Sequence, residues 1–277
     1  MRRLMAALLI LAVAGGVQAQ AQESVQALPQ EQTQTQEQEQ TQEQEQTQEQ
    51  VQEAGADAAV FDPVAHLLDR SHRYSVEWTG ISLGKGMIAL QGDAGGCYRF
   101  ESTTDPIALV RWTYGAPREQ SRFCVRDGAI VPVTYAYINE KREKDSFRLD
   151  FAEDNSEVRM LKRGDLQVRE IADQATYDPF LMREVVRLWV LRHLAGVAPA
   201  QAAFTMVDDD RIKTYRFAIG EREIVDVPAG RVDALRVDRL DDRRPHHYWL
   251  DPERGYIPVK IEQLKEDKVE LRMLLLE

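Results

Sequence analysis

From Arg73 to the C-terminus, apolar and polar residues alternate with a period of two, and one long stretch breaks the alternation. Tyr74, Val76 and Trp78 alternate with Arg73, Ser75 and Glu77. Met87, Ile88 and Leu90 form a second short run, and Tyr98 with Phe100 a third. Phe123 and Val125 lead into an Asp127-Gly128 turn followed by Val131 to Ile138, and Phe147, Leu149 and Phe151 alternate with Arg148 and Asp150. Side chains on a strand point alternately to the two faces of a sheet. This period, with Gly, Asp and Asn at the breaks, therefore predicts antiparallel hairpins. After the interruption the pattern resumes at Tyr215 and Phe217 and runs through Val225, Val237, Leu250 and Ile261 to Leu276.

The interruption reads as a helix. Asp178 can cap its N-terminus and Pro179 suits its first turn. Phe180 to Ala195 lacks Gly and Pro, and Gly196 can end it. Leu181, Val185, Leu188 and Trp189 form one apolar stripe, which Val186, Val190, Leu191 and Leu194 widen. Arg183, Glu184, Arg187 and His193 are assigned to water. Such a helix lies across a sheet and buries much of its circumference. The expected fold is mainly β with one long helix, built from curved antiparallel meander sheets in a barrel-like arrangement. Phe123 to Tyr135 and Trp249 to Ile261 share a strand, a polar Gly turn, an apolar pair, Pro and Val. Two tandem related halves joined by the helix would explain this, and so would two hairpins with similar turn chemistry.

The first 59 residues have a different character. Met1-Arg2-Arg3 is a basic start, Leu4 to Ala14 is apolar, and Val17-Gln18-Ala19 is a small-x-small cleavage site. Residues 1–19 thus predict an export signal cut after Ala19, with an apolar run too short to span a bilayer well. No Cys directly follows the apolar run, which excludes lipoprotein processing, and no later segment has eighteen consecutive apolar residues. The expected protein is periplasmic and does not span the membrane after cleavage. Residues 20–59 are a Gln/Glu/Thr-rich tether that repeats TQEQEQ at Thr35 and Thr41. A composition with so few apolar groups cannot offset the entropy of ordering, so the tether is expected to be disordered. Its nine acids and no bases account for most of the formal charge of −11. Residues 60–277, the expected β domain, hold 37 acids (46 − 9) and 33 bases (35 − 2), a net of −4. Interspersed signs of that kind give no basic footprint for nucleic acid.

Five features of the sequence bear on chemistry. Cys97 and Cys124 are the only cysteines, and an oxidising compartment favours a bond between them. Closing that loop is worth roughly 3–4 kcal/mol in the chain-entropy model. Gly80-Ile81-Ser82-Leu83-Gly84 fits G-x-S-x-G, but a nucleophile elbow needs a helix after the Ser, and Lys85 to Gly92 reads as a strand. His246 and His247 are strand neighbours that point to opposite faces, which argues against joint metal binding. Asp208-Asp209-Asp210 and Asp241-Asp242 lack the spaced ligands and Gly of a calcium loop. Pro106 to Tyr114 is apolar, and Ile107, Leu109, Trp112 and Tyr114 read either as a lip over a ligand cavity or as a buried end cap. No catalytic set, metal site or cofactor is expected.

Several of these motifs resemble, in order, one known family. Tyr74-x-Val76-x-Trp78-x-Gly80-Ile81 with Gly84 is similar to the opening of the DUF3108 family. Ser121-Arg122-Phe123, Asp127-Gly128, Pro132 and Tyr135 resemble its middle. Tyr177-Asp178-Pro179, Tyr215-x-Phe217, Glu223, Pro228-Ala229-Gly230 and Trp249-Leu250 with Ile257-Pro258-Val259 resemble its second half. The likeness spans about residues 70–277 and implies an exported bacterial protein of unassigned function, with no catalytic residue to carry over. Neither cysteine belongs to its pattern. The Trp249 to Val259 hairpin is also similar to one in periplasmic lipoprotein-carrier-like folds, where a curved sheet wraps an apolar cavity. The expected function is non-enzymatic binding of an apolar or lipid-like envelope component. The alternatives are a scaffold without a small ligand, and a hydrolase using Ser82 with Asp251 and His246 or His247.

Overall fold

The computed structural model describes residues 61–171, 175–209, 211–240 and 244–277. The export signal, the tether, Asp210, Asp241 and Asp242 lie outside the described residues. The first half of the chain supplies β1 (Arg70–Trp78), β2 (Ile81–Asp93), β3 (Cys97–Pro106), β4 (Arg118–Arg126), β5 (Ala129–Ile138), β6 (Phe147–Phe151), β7 (Glu157–Lys162) and β8 (Asp165–Glu170). The second supplies β9 (Thr176–Tyr177), β10 (Gln201–Val207), β11 (Ile212–Val227), β12 (Gly230–Arg239), β13 (His246–Asp251), β14 (Ile257–Lys265) and β15 (Lys268–Leu275). Two α-helices are described, α1 (Ala108–Thr113) and α2 (Met182–Leu194).

These strands form one sheet in the order β8-β7-β6-β5-β4-β3-β2-β1-β15-β14-β13-β12-β11-β10-β9. Except for β8 and β9, strands adjacent in sequence are adjacent in space, and β1 pairs with β15, so the two ends of the domain meet mid-sheet. The sheet is open, with β8 and β9 at its edges, rather than closed into a barrel. Every pairing is antiparallel except that of β9 with β10, and a parallel pair needs a crossover, which α2 supplies. The order runs from centre to edge in the first half and from edge to centre in the second. It therefore lends no support to the tandem reading.

Turn chemistry sets the register. Asp127 and Gly128 both have positive φ (51° and 72°), the conformation a two-residue hairpin loop requires. Bulges at Ile219/Arg222, Trp249/Leu250 and Gln263/Leu264 bend the second half. The long β11–β12 hairpin folds back until the Ala229 N–H donates to the Leu275 carbonyl at 3.0 Å.

The sheet consequently encloses two apolar cores. In the first, α2 packs on an apolar layer that includes Phe100, Phe123, Tyr135, Leu149 and Phe217. Phe180 stacks on Phe100 with ring centres 4.3 Å apart. The second core holds Tyr74, Val76, Val232, Trp249, Val259 and Met273. Trp249 and Leu250 are neighbours on β13 and enter different cores, as a period of two dictates.

Cys97 and Cys124 face each other in the β3–β4 register and are joined by a disulfide. Reducing it, or replacing both residues with Ala, should lower stability by about 3 kcal/mol in the chain-entropy picture. Urea unfolding with and without reductant checks this. An unchanged midpoint would mean that strand pairing alone already sets the geometry.

The helix begins at Met182, two residues later than the sequence suggests, because Asp178 caps the turn that leads into it: its Oδ1 accepts from the Phe180 N–H at 3.0 Å and the Leu181 N–H at 2.8 Å. Gly196 leaves it in the left-handed region at φ 77°. The assignment of Glu184 and Arg187 to water is corrected, since they are only 3% and 4% exposed. They are buried because they neutralise each other.

Candidate functional site

Two clefts lie beneath α2. One opens beside β1 and β2 and is lined by Arg70, His72, Tyr74, Ile88, Leu90, Phe100 and residues of β14. The other opens beside β10–β15 and is lined by Pro179, Met182, Met206, Tyr215, Phe217, Arg239, His246, Tyr248, Gln263 and neighbours. Arg183 and Ile261 line both. Counted out to solvent they span about 400 and 680 Å³. The enclosed part of each is far smaller, so the interior is mostly filled by side chains.

A buried ion triad anchors the helix above the first cleft. The Arg187 guanidinium donates to Glu184 at 2.7 Å, to the Gly255 carbonyl at 2.7 Å and to the His66 carbonyl at 2.7 Å. Arg70 on β1 donates to the other Glu184 oxygen at 2.5 Å. Burial alone would raise the Glu184 pKa, but Arg187 and Arg70 outweigh it and hold the carboxyl below its usual range. The triad ties α2 to β1, to the segment before it and to the β13–β14 connection in the middle of the sheet, and carries a net charge of +1.

Arg183, one turn earlier, has no such partner. Its guanidinium sits over the Phe180 ring at 5.4 Å. No carboxylate of the described residues forms an ion pair with it. His72 is pushed below its ordinary pKa by burial and then by Arg70. His246 is pushed well below by burial and then by Arg239, whose Nη2 lies 2.6 Å from its Nδ1. Both rings are therefore neutral at neutral pH.

Under the start of the helix lies a group of buried acids. Burial pushes Glu119 up to about 7, against the attraction of Arg183, while the Tyr135 hydroxyl donates to it at 2.7 Å. Burial pushes Asp178 up to about 6 despite donors from Leu181, Ser121 and Phe180. Its Oδ2 is buried with no hydrogen-bond partner among the described residues. The strand pattern hides these residues, because Glu119 and Ser121 occupy core positions of β4 that alternation assigns to apolar side chains.

The features singled out in the sequence fall elsewhere. Ser82 is exposed on β2, with no helix after it. Gly84 is needed because a Cβ there would meet the Asp105 carbonyl at 2.3 Å, a close backbone approach rather than an elbow. Ser82 pairs with Glu77, Glu77 with Arg272, Arg272 with Glu262 and Glu262 with His247. That path crosses four strand spacings, about 19 Å along the sheet at 4.8 Å each. Asp251 instead accepts from the Glu253 N–H at 2.9 Å and pairs with Arg254. His246 lines the second cleft, while His247 points to the other face and meets Asp238 at 2.5 Å. Asp208 is buried, and Asp209 pairs with Lys162. Among the described residues, no cluster of three or more His, Cys, Asp or Glu can hold a metal ion. No described helix is long and apolar enough to cross a membrane.

The apolar segment divides. Ile107, Leu109 and Trp112 are 42%, 67% and 73% exposed on and beside α1. Tyr114 parts from them: it is 2% exposed and shares a 3.0 Å hydrogen bond with the Tyr137 hydroxyl. Tyr114 follows the six-residue α1 as its C-cap and turns inward, so it is a core residue and not part of an exposed lip.

The sequence model of the family DUF3108, described as a protein of unknown function, matches residues 73–275. The chain belongs to the DUF3108 family. This DUF3108 domain shares 14% identity with a β-barrel-like protein of the domain of unknown function DUF1849 from Brucella abortus, over 76% of this chain and 96% of that one, at a TM-score of 0.45. It shares 14% identity with MucB over 78% of this chain and 55% of that one, at a TM-score of 0.29. No curated protein matches the DUF3108 chain.

Proposed function

We propose that this protein is a non-enzymatic binding protein of the periplasm that takes an apolar or lipid-like envelope component in the clefts beneath α2. The carrying observation is their lining, where Tyr74, Ile88, Ile261 and Met273 meet the helix without filling the space. Binding sites for small molecules combine such apolar walls with a few placed polar groups. The clefts favour a ligand seated at an opening over a long chain enclosed in the core. The separation of Ser82 from His247 supports a role without hydrolysis. The disulfide supports an oxidising compartment.

A scaffold role is the second reading. It is favoured by Leu109 and Trp112, which hold apolar surface out to solvent on α1. Native mass spectrometry with lipid extraction, on protein purified from its own host without detergent, separates the two. A stoichiometric co-purified lipid is the expected result. A clean apo mass would shift the weight to the scaffold.

A further inference from the structure

We propose that the clefts beneath α2 take an acidic amphiphile, whose carboxylate or phosphate head pairs with Arg183 while its apolar part lies against Tyr74, Ile88 and Ile261. This rests on the binding reading above and names the ligand class. Arg183 is half-buried and lines both clefts, and its guanidinium has neither an ion-pair nor a hydrogen-bond partner among the described residues. A guanidinium withdrawn from water gains most from an oxyanion that uses its forked donors.

The surroundings are of the same sign. Lining residues of the two clefts include Arg70, Arg183, Arg187 and Arg239 against a single carboxylate, Glu184, which the triad already occupies. The carboxylate that acts electrostatically on Arg183 from β4 is Glu119, and its pKa of about 7 leaves it only partly charged at neutral pH. Burial first, and then Arg70 beside His72 and Arg239 beside His246, hold these two rings below their ordinary pKa, so neither adds a charge to the clefts at neutral pH. The head and the apolar part are both needed to match what lines the space.

The test is calorimetric titration of the detergent-free protein with laurate, dodecyl phosphate and dodecanol below their micelle concentrations, and with acetate and inorganic phosphate. Wild type should bind laurate or dodecyl phosphate at least about tenfold more tightly than dodecanol, the effect expected of one charge-assisted contact. Comparing laurate with dodecyl phosphate tells which head is preferred. Arg183→Met should abolish the preference and leave dodecanol binding unchanged, whereas Arg183→Lys should retain part of it. The Arg183 side chain makes no hydrogen bond within the fold, and what it gives the fold is its place over the Phe180 ring and its attraction for Glu119, so the melting temperature is measured alongside and binding is compared at a temperature where every variant is folded. Equal binding of laurate and dodecanol, or a preference that survives Arg183→Met, overturns the anion site and leaves the binding reading standing. Binding of acetate or phosphate alone, with no gain from the apolar chain, keeps the anion site and removes the lipid-like ligand. No binding of any probe overturns both.

Discussion

Replacing Glu184 with Leu should lower the free energy of unfolding by about 3–5 kcal/mol, the usual result of breaking a buried ion pair from one side. The carboxylate accepts from Arg187 at 2.7 Å and from Arg70 at 2.5 Å, and at 3% exposure water does not replace it. Without it, two guanidinium groups with little access to solvent face each other across an apolar gap. Such a loss is a large fraction of the 5–15 kcal/mol that typically stabilises a domain. Glu184→Gln retains an acceptor and should cost less. Glu184→Leu with Arg187→Met removes the facing charge as well and should recover part of the loss, although Arg187 then no longer ties Gly255 and His66 together. Urea unfolding monitored by tryptophan fluorescence measures all three. A Glu184→Leu midpoint within 1 kcal/mol of wild type, as an order-of-magnitude limit, would mean that water reaches the triad and that α2 is held by apolar packing alone.

The strands and the helix were legible because each rests on a local period. Alternation marks β1, β6 and β15, Asp127-Gly128 marks the β4–β5 turn, and Asp178 and Gly196 bracket α2. The Glu266-Asp267 turn, with φ of 50° and 59° and no glycine, gives no such signal. The site was not legible, for a reason the same helix illustrates. Arg183, Glu184 and Arg187 are identical to surface residues in a hydropathy pattern, and only the sheet around them decides their fate. Glu184 and Arg187 are buried as a neutral pair, and Arg70, more than a hundred residues away, supplies a second charged donor to Glu184. Arg183 lines a cleft because β1 and β14 leave space below it. Glu119 and Ser121 were hidden in the opposite sense, as polar residues at core positions whose partners Tyr135 and Asp178 come from other elements. Long-range pairing of this kind leaves no trace in spacing.

Those two buried acids should make the protein more stable on mild acidification, against the common trend. The Glu119 pKa rises from 4.5 to about 7 on folding and that of Asp178 from 3.8 to about 6. A carboxyl whose pKa is raised by folding contributes its stability in full below the unfolded pKa and loses it as pH rises through the folded value. For Glu119 the window runs from 4.5 to about 7 and is worth about 3 kcal/mol at 1.36 kcal/mol per unit. Asp178 acts in the same direction from 3.8 to about 6. His246 and His72 oppose both below 6.5, because folding lowers their pKa values and the unfolded chain takes up the protons. Glu184 and Asp238, held below 4.5 and 3.8, act only at lower pH. The clean measurement is therefore a difference: wild type against Glu119→Gln, unfolded in urea at half-unit steps from pH 4.5 to 8. Gln still accepts from Tyr135 but has no charge to bury. The variant should gain on wild type as pH rises, by up to about 3 kcal/mol across the window, and the gain should level off above pH 7. A difference that does not change with pH would mean that the Glu119 carboxyl reaches water, and that the floor beneath α2 is wetter than its packing indicates.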